Sequence, residues 1–290
     1  MANKKDRRWR RKTFRRALKM ELREHKSSFI VFYVLRLLVI VTVVRQIMLQ
    51  NYESVFLCAV TFLLLYVPSW VQVKLRIELP PPLEVLILCI IFATEILGEI
   101  SAFYVVIPMW DVILHALDGF LAAAMGFSLV VILNNNEKLA FDMLPFYMAI
   151  VAFCFSMTLG VFWEFAEFGA DTFFHTDMQK DTVVHAIHSV ALNPTKSNKV
   201  VTITGIADTV VNGKSLGLDG YLDIGLIDTM KDLLVNSIGA SVFAVIGFFY
   251  ARSKGIAKSP AVDFVPSLKP EDKDFLKRVR TQDDSDEHNE

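Results

Sequence analysis

Trp110-Asp111-Val112-Ile113-Leu114-His115-Ala116-Leu117-Asp118-Gly119-Phe120 begins an apolar segment that runs on to about Leu133. Asp111, His115 and Asp118 are separated by four and three residues, so on a helix they share one face. Ionisable groups are costly in hydrocarbon, and those retained at the mouth of a spanning segment point to a functional site. Two further sets repeat the pattern. Glu164, Glu167 and Asp171 close the segment from Leu144 to about Asp171, and Asp228, Asp232 and Asn236 open the one from about Leu226 to Tyr250. Glu95 and Glu99, four apart, lie toward the end of the segment from Pro82 to about Phe103.

A membrane is the setting these segments need. Hydrophobic residues make up 53% of the 290, with a mean hydropathy of +0.43. A spanning helix takes about 20 predominantly apolar residues. Besides the four segments above, Ser28 to Met48 and Ser54 to Val73 qualify, making six. Pro80, Pro81 and Pro82 break the chain after the second and place Pro82 at a helix start. Pro108 separates the third from the fourth, and Asn134, Asn135 and Asn136 end the fourth. The expected fold class is an all-α polytopic membrane protein, a six-helix transmembrane bundle. The basic N-terminal stretch and its apolar segment are both too long for a cleavable signal peptide. Cys58, Cys89 and Cys154 lie in apolar segments without paired spacing and read as small core residues.

Lys and Arg in short loops orient the bundle. The first 26 residues hold twelve Lys or Arg against three acids, including Lys4, Lys5, Arg7, Arg8, Arg10, Arg11 and Lys12. Cytoplasmic placement of this head also puts Lys74, Arg76, Lys138, Arg252 and Lys254 in the cytoplasm. The expected organisation is a basic cytoplasmic segment 1–27, a membrane domain 28–250 with an external insert at about 172–225, and a largely disordered cytoplasmic tail 251–290. Both termini are then cytoplasmic in a multi-pass protein of the bacterial cytoplasmic membrane. The head abuts a span, which favours attraction to anionic lipid headgroups over nucleic acid. The tail, with Pro260, Pro266, Pro270 and a charged end, is too poor in apolar residues to offset its ordering entropy. A short helix fits around Asp272–Val279, and the final ten residues are expected to be disordered.

The insert is too long for a simple connection. Val200-Val201-Thr202-Ile203-Thr204 favours a strand, and Val210-Val211 before Asn212-Gly213 is a hairpin signal. A small external β-element between the fifth and sixth helices, capping the acidic pocket, is therefore expected. His185 and His188 lack the companions of a known metal motif and read as ordinary polar residues.

The topology carries the three acidic sets and Glu95 and Glu99 to one outer half of the bundle. So many carboxylates cannot all stay ionised together without compensation. Lys231, Arg36 and Arg45 are too few to neutralise them, so a divalent metal or shared protons is expected. Asp111, His115, Glu164, Glu167, Asp228 and Asp232 form the candidate ligand set. Mixed carboxylate and imidazole donors suit Mg²⁺, Mn²⁺, Ca²⁺ or Zn²⁺. Glu95, Glu99, Asp118, Asp171, Lys231, Asn236 and Arg36 are expected to support the pocket, with Arg36 reaching Glu95 at similar depth or a polar pocket between those helices. His115 or Glu164 would serve as the base if the site is catalytic.

The run Trp110-Asp111-x-x-x-His115-x-x-x-Gly119-Phe120, then Trp163-Glu164-x-x-Glu167, then Asp228-Thr-Met-x-Asp232-x-x-x-Asn236-x-x-Gly239-Ala240 resembles the YjdF-like family of bacterial inner-membrane proteins. That family lacks an established function. More distantly the pattern is similar to the VanZ family, associated with low-level teicoplanin resistance. The second resemblance implies that Asp111, His115, Glu164, Asp232 and Asn236 are the shared positions, with Glu167 standing where VanZ-like chains carry Gln. Three classes of function are consistent with these residues. One is metal-dependent binding or processing of an envelope lipid or polar headgroup. The others are proton-coupled transport and a non-catalytic polar core. No nucleophile motif, phosphate-binding Gly loop or cofactor fingerprint appears.

Overall fold

The computed structural model describes residues 4–134, 143–253, 264–270 and 273–288. Asn135, Asn136, the Lys138 loop, Lys254 and Pro260 lie outside the described residues. The helices are α1 (Lys4–Glu21), α2 (Lys26–Met48), α3 (Tyr52–Leu64), α4 (Val67–Leu75), α5 (Pro81–Phe92), α6 (Phe103–Val106), α7 (Trp110–Asn134), α8 (Pro145–Phe174), α9 (Leu226–Arg252) and α10 (Phe275–His288). Among the described residues, five helical runs are long and apolar enough to cross a membrane: Lys26–Met48, Tyr52–Leu75, Trp110–Asn134, Pro145–Phe174 and Leu226–Arg252. The protein is thus mainly helical, with multi-pass character. The sixth expected segment is also helical but is not among these five. After α5 the chain widens into a π-helix over Ala93–Ile100, which carries Glu95 and Glu99. Such π-helical turns are rare and occur often at functional sites.

Local chemistry sets the helix ends. The Asn51 side chain accepts from the Ser54 amide at 3.2 Å and caps α3. Proline in the first turn starts α4, α5 and α8, where no amide partner is lost. Large apolar side chains such as Leu37, Val41, Phe162, Phe165, Leu234 and Val245 stay exposed on the outer faces. A lipid solvent removes the penalty that water would impose on them.

α7, α8 and α9 form the central unit, packed through small residues. A Cβ added at Gly239 would lie 2.0 Å from the Ala116 carbonyl oxygen, and one at Gly119 would lie 2.2 Å from that of Asn236. Ala123, Ala124, Ala152 and Ala240 are fully buried around this crossing. Ser156 Oγ donates to the Gly119 carbonyl at 2.8 Å, tying α8 to α7. Close backbone approach of this kind drives helix association where lipid removes the hydrophobic force. Phe127 and Phe243 fill the far end, with Phe243 edge-on to Phe120 at 5.1 Å.

A second core, built on Phe32, Leu35, Val39, Cys58, Leu65, Leu88 and Ile96, joins α2, α3, α5 and the π-helix. Arg36 sits here, and its expected partner Glu95 is replaced. Its Nη1 donates to the Tyr66 hydroxyl, and its guanidinium lies over Phe62 at 4.4 Å and over Tyr66 at 4.8 Å. Aromatic faces attract a desolvated guanidinium, so the cation is satisfied without a carboxylate.

The tail also departs from expectation. β1 (Ile77–Glu78), between α4 and α5, pairs antiparallel with β8 (Ser267–Leu268). Lys269 Nζ reaches Glu21 on α1, and both side chains are only 2% exposed. Lys273 Nζ contacts Glu78 at 2.5 Å and Glu24 at 3.5 Å, and Arg76 Nε lies 3.4 Å from Asp274. Val265, Phe275 and Val279 are buried, and α10 packs on α1. Composition alone undervalued the tail because Lys269 and Lys273 find acids on α1 and β1, Asp274 finds Arg76, and its few apolar residues pack on α1.

The insert holds three separate strand pairs. β2 (Val183–Val184) pairs with β7 (Tyr221–Leu222), β3 (Ala186–Ser189) with β4 (Val201–Thr204), and β5 (Val210–Val211) with β6 (Lys214–Ser215). Asn212 and Gly213 connect the last pair with φ of 51° and 79°, as a type I′ turn requires.

Gly239→Ala forces a methyl group onto the Ala116 carbonyl and should destabilise the protein by about 1–3 kcal/mol. Gly169→Ala is the control, because a Cβ there meets nothing within 4 Å. Thermal unfolding in detergent should show a lower Tm for the first and an equal or higher Tm for the second. Equal Tm values would contradict the close crossing.

Candidate functional site

The crossing of α7 and α9 brings residues from both helices together near their N-terminal ends. Asp111 and His115 lie one turn apart on α7, and Asp232 faces them from α9. His115 Nε2 is 3.4 Å from Asp111 Oδ1 and 3.7 Å from Asp232 Oδ2. Each of the three offers a donor atom within 4.8 Å of the others, a spacing that could hold a metal ion. Asp232 is buried, while the Asp111 side chain is 33% exposed and opens the cluster to one side.

α8 supplies the next residues. Glu164 is buried, and its Oε2 has no hydrogen-bond partner among the described residues. Its electrostatic neighbours are Thr229, His115, Asp228 and Asp111. An orphaned carboxylate oxygen is costly in a buried setting, so this atom needs a proton or a cation nearby. Glu167, one turn further on, accepts from Trp163 Nε1 at 2.8 Å. One turn deeper than Asp232, Asn236 is buried at the three-helix junction, its Nδ2 lying 3.5 Å from Met157 Sδ. A Cβ at Gly160 would stand 2.9 Å from that nitrogen, so glycine leaves the amide its room.

The other expected residues go elsewhere. Asp171 accepts from the amides of Met178 and Gln179 and from Thr176 Oγ1, all within 2.7–2.8 Å. Asp228 Oδ2 accepts from the Lys180 amide at 2.7 Å, although Asp111 and His115 remain its electrostatic neighbours. These two carboxylates strap the segment after α8 across the helix ends. Lys231 is exposed beside Asp228. Glu95 and Glu99 are grouped electrostatically with Thr94 and Tyr104, whereas Asp118 keeps His115 and Asp111 as electrostatic neighbours and stays beside the cluster. The Tyr104 ring packs directly against Gly98, where a Cβ would be 2.3 Å from it. His185 Nδ1 meets the Ile206 carbonyl and His188 Nδ1 meets Thr202 Oγ1, so both serve the insert.

Sequence reasoning missed Tyr104 and Asp223. Nothing in the spacing marks Tyr104, because its place depends on how the π-helix turns. Asp223 had a usable signal, a carboxylate just before a helix start. It accepts from the Thr182 and Ile227 amides, each at 2.7 Å, and so ties the insert to the first turn of α9. Burial pushes its carboxyl up, but bonds from the Thr182, Ile227 and Gly225 amides outweigh that and hold it below the usual range. A depressed folded-state value means its stabilisation is present above an unfolded pKa of about 3.9 and lost as pH falls through the folded value. Asp223→Ala should therefore remove hydrogen-exchange protection of the Thr182 and Ile227 amides at neutral pH. Unchanged protection would show that other contacts hold the insert.

Neither the curated proteins nor the solved structures provide a match to this chain. Residues 30–253 match the family model described as Predicted membrane protein (DUF2238), which covers every helix of the central unit and the insert. The chain belongs to that membrane-protein family.

Proposed function

We propose that Asp111, His115 and Asp232, backed by Glu164, hold a divalent cation at the outer face of a six-span bundle and use it to bind or process a phosphorylated or polar lipid headgroup. The observation that carries this reading is the convergence of three donor atoms within 4.8 Å beside a buried carboxylate oxygen lacking a partner. Two unit charges 4 Å apart at an effective dielectric of 20 repel by about 4 kcal/mol. Three carboxylates around one imidazole therefore need a compensating charge. Mg²⁺, Mn²⁺, Ca²⁺ or Zn²⁺ accepts such donors, and the cation would polarise a phosphoryl oxygen while His115 or Glu164 takes a proton. The opening at Asp111 gives a headgroup lateral access. Glu167 and Asp228 complete the pocket wall, and the strand pairs of the insert cap it.

Strand pairing supports six crossings. β1 and β8 are hydrogen-bonded, so residues 77–78 and 267–268 lie at one end of the bundle. α7, α8 and α9 alone would leave them on opposite sides. Pro81–Ile100, about 30 Å long at helical rise, supplies the fourth passage that restores them. The basic α1 then lies at the cytoplasmic surface and is drawn to anionic lipid.

In a cysteine-free background, Lys196→Cys should react with a membrane-impermeant thiol reagent added from outside, and Ser267→Cys should not. The reverse labelling would overturn the topology. Elemental analysis of purified protein should find a stoichiometric divalent metal. Chelator should lower Tm, because a ligand at a hundred times its Kd stabilises by about 2.7 kcal/mol. His115→Ala and Asp232→Asn should insert normally yet lose the response. Absence of metal together with a Tm unchanged by chelator would refute the cation reading.

A further inference from the structure

At the cytoplasmic end, α1, the last turn of α4 and α10 enclose a cleft of about 520 Å³. Arg11 and Arg15 come from α1, Lys74 from α4 and Arg280 from α10, with Trp9 and Phe14 beside them. Among the described residues no carboxylate lines the cleft. Three other cations at this end are matched, Lys269 by Glu21, Lys273 by Glu24 and Glu78, and Arg76 by Asp274. Among the described residues these four cleft cations have no ion pair. Three chain segments far apart in sequence thus bring like charges together with no ion pair among the described residues, an arrangement that an entering anion relieves.

We propose that this cleft is a binding site for a phosphate-bearing anion presented by a lipid headgroup. Arginine forks match phosphate oxygens in a bidentate manner, and Lys74 adds a point charge. Trp9 and Phe14 give the cleft an amphipathic wall suited to the boundary between headgroup and acyl chain. The cleft rests on the reading of α1 as a membrane-surface helix, but it is separate from the Asp111–His115–Asp232 cluster. Val265, in the tail that leads to α10, packs with Phe127 and Val130 near the opposite end of α7. Val130 is about 30 Å from Asp111 along that helix. Because Arg280 arrives on α10, an anion bound here also holds the tail against the head.

Full-length protein in phosphatidylcholine nanodiscs, with or without a minor fraction of phosphatidic acid, tests the proposal through thermal unfolding and lipid retention in native mass spectrometry. Inorganic phosphate added to the phosphatidylcholine discs is the second arm. Phosphatidic acid should raise Tm in the wild type and in Lys12→Gln/Lys19→Gln, whose side chains do not line the cleft. Arg15→Gln/Arg280→Gln should bind roughly a hundredfold more weakly, about tenfold for each of the two charge-assisted contacts removed. Stabilisation by phosphatidic acid alone assigns the headgroup. An equal response to inorganic phosphate, lost in the same variant, keeps the phosphate site but refutes the headgroup as its source. Equal loss in both double variants would mean diffuse attraction to α1, and no loss in either would mean no phosphate site; both outcomes overturn the proposal. Metal content serves as the control, since it reports on the outer cluster and should be unchanged throughout.

Discussion

The Ala116 carbonyl and the Asn236 backbone occupy the space where side chains at Gly239 and Gly119 would stand, and that contact sets how near α7 and α9 come. Nearness there has a direct consequence one turn away. Asp111 and His115 can meet Asp232 only because no side chain separates the two backbones. Ser156 and the fully buried Ala152 bring α8 into the same junction, which carries Glu164 to the cluster's edge. Small residues and acidic residues are thus two parts of one arrangement. The first set the distance that gives the second their chemistry.

A buried cluster with excess negative charge is unstable unless something compensates it. Acids outside the cluster show what compensation looks like here. Asp171, Asp223 and Asp228 each accept backbone amides from the segment between α8 and β2 or from the start of α9. Glu21 has Lys269, and Glu84 accepts from Gln72 Nε2 at 3.0 Å. Glu164 Oε2 stands out by contrast. That contrast, more than the number of acids, is what the proposed cation would answer, since the oxygen needs either a proton or a positive charge.

Much of this was legible from periodicity. Helical spacing put Asp111 with His115, and Asp232 with Asn236, because a helix face is a local property. The same spacing could not separate Asp232 from Asp228, since the Lys180 amide that claims Asp228 lies 48 residues away in the chain. For Arg36, depth suggested Glu95 or a polar pocket, and the neighbours it finds are the Tyr66 hydroxyl and the aromatic faces of Phe62 and Tyr66. In the tail a short helix around Asp272–Val279 was legible, but its docking was not, because it resides in pairings with α1 and β1 that no window of the tail's own sequence contains.

The central claim is that α7 and α9 together hold a cation through one imidazole and carboxylates. Electron spin-echo spectroscopy of the Mn²⁺-loaded protein measures this most directly, because a coordinated imidazole nitrogen modulates the echo. The account predicts modulation from a single histidine nitrogen that disappears in His115→Ala. Manganese bound with no nitrogen modulation, or modulation that survives His115→Ala, would contradict it.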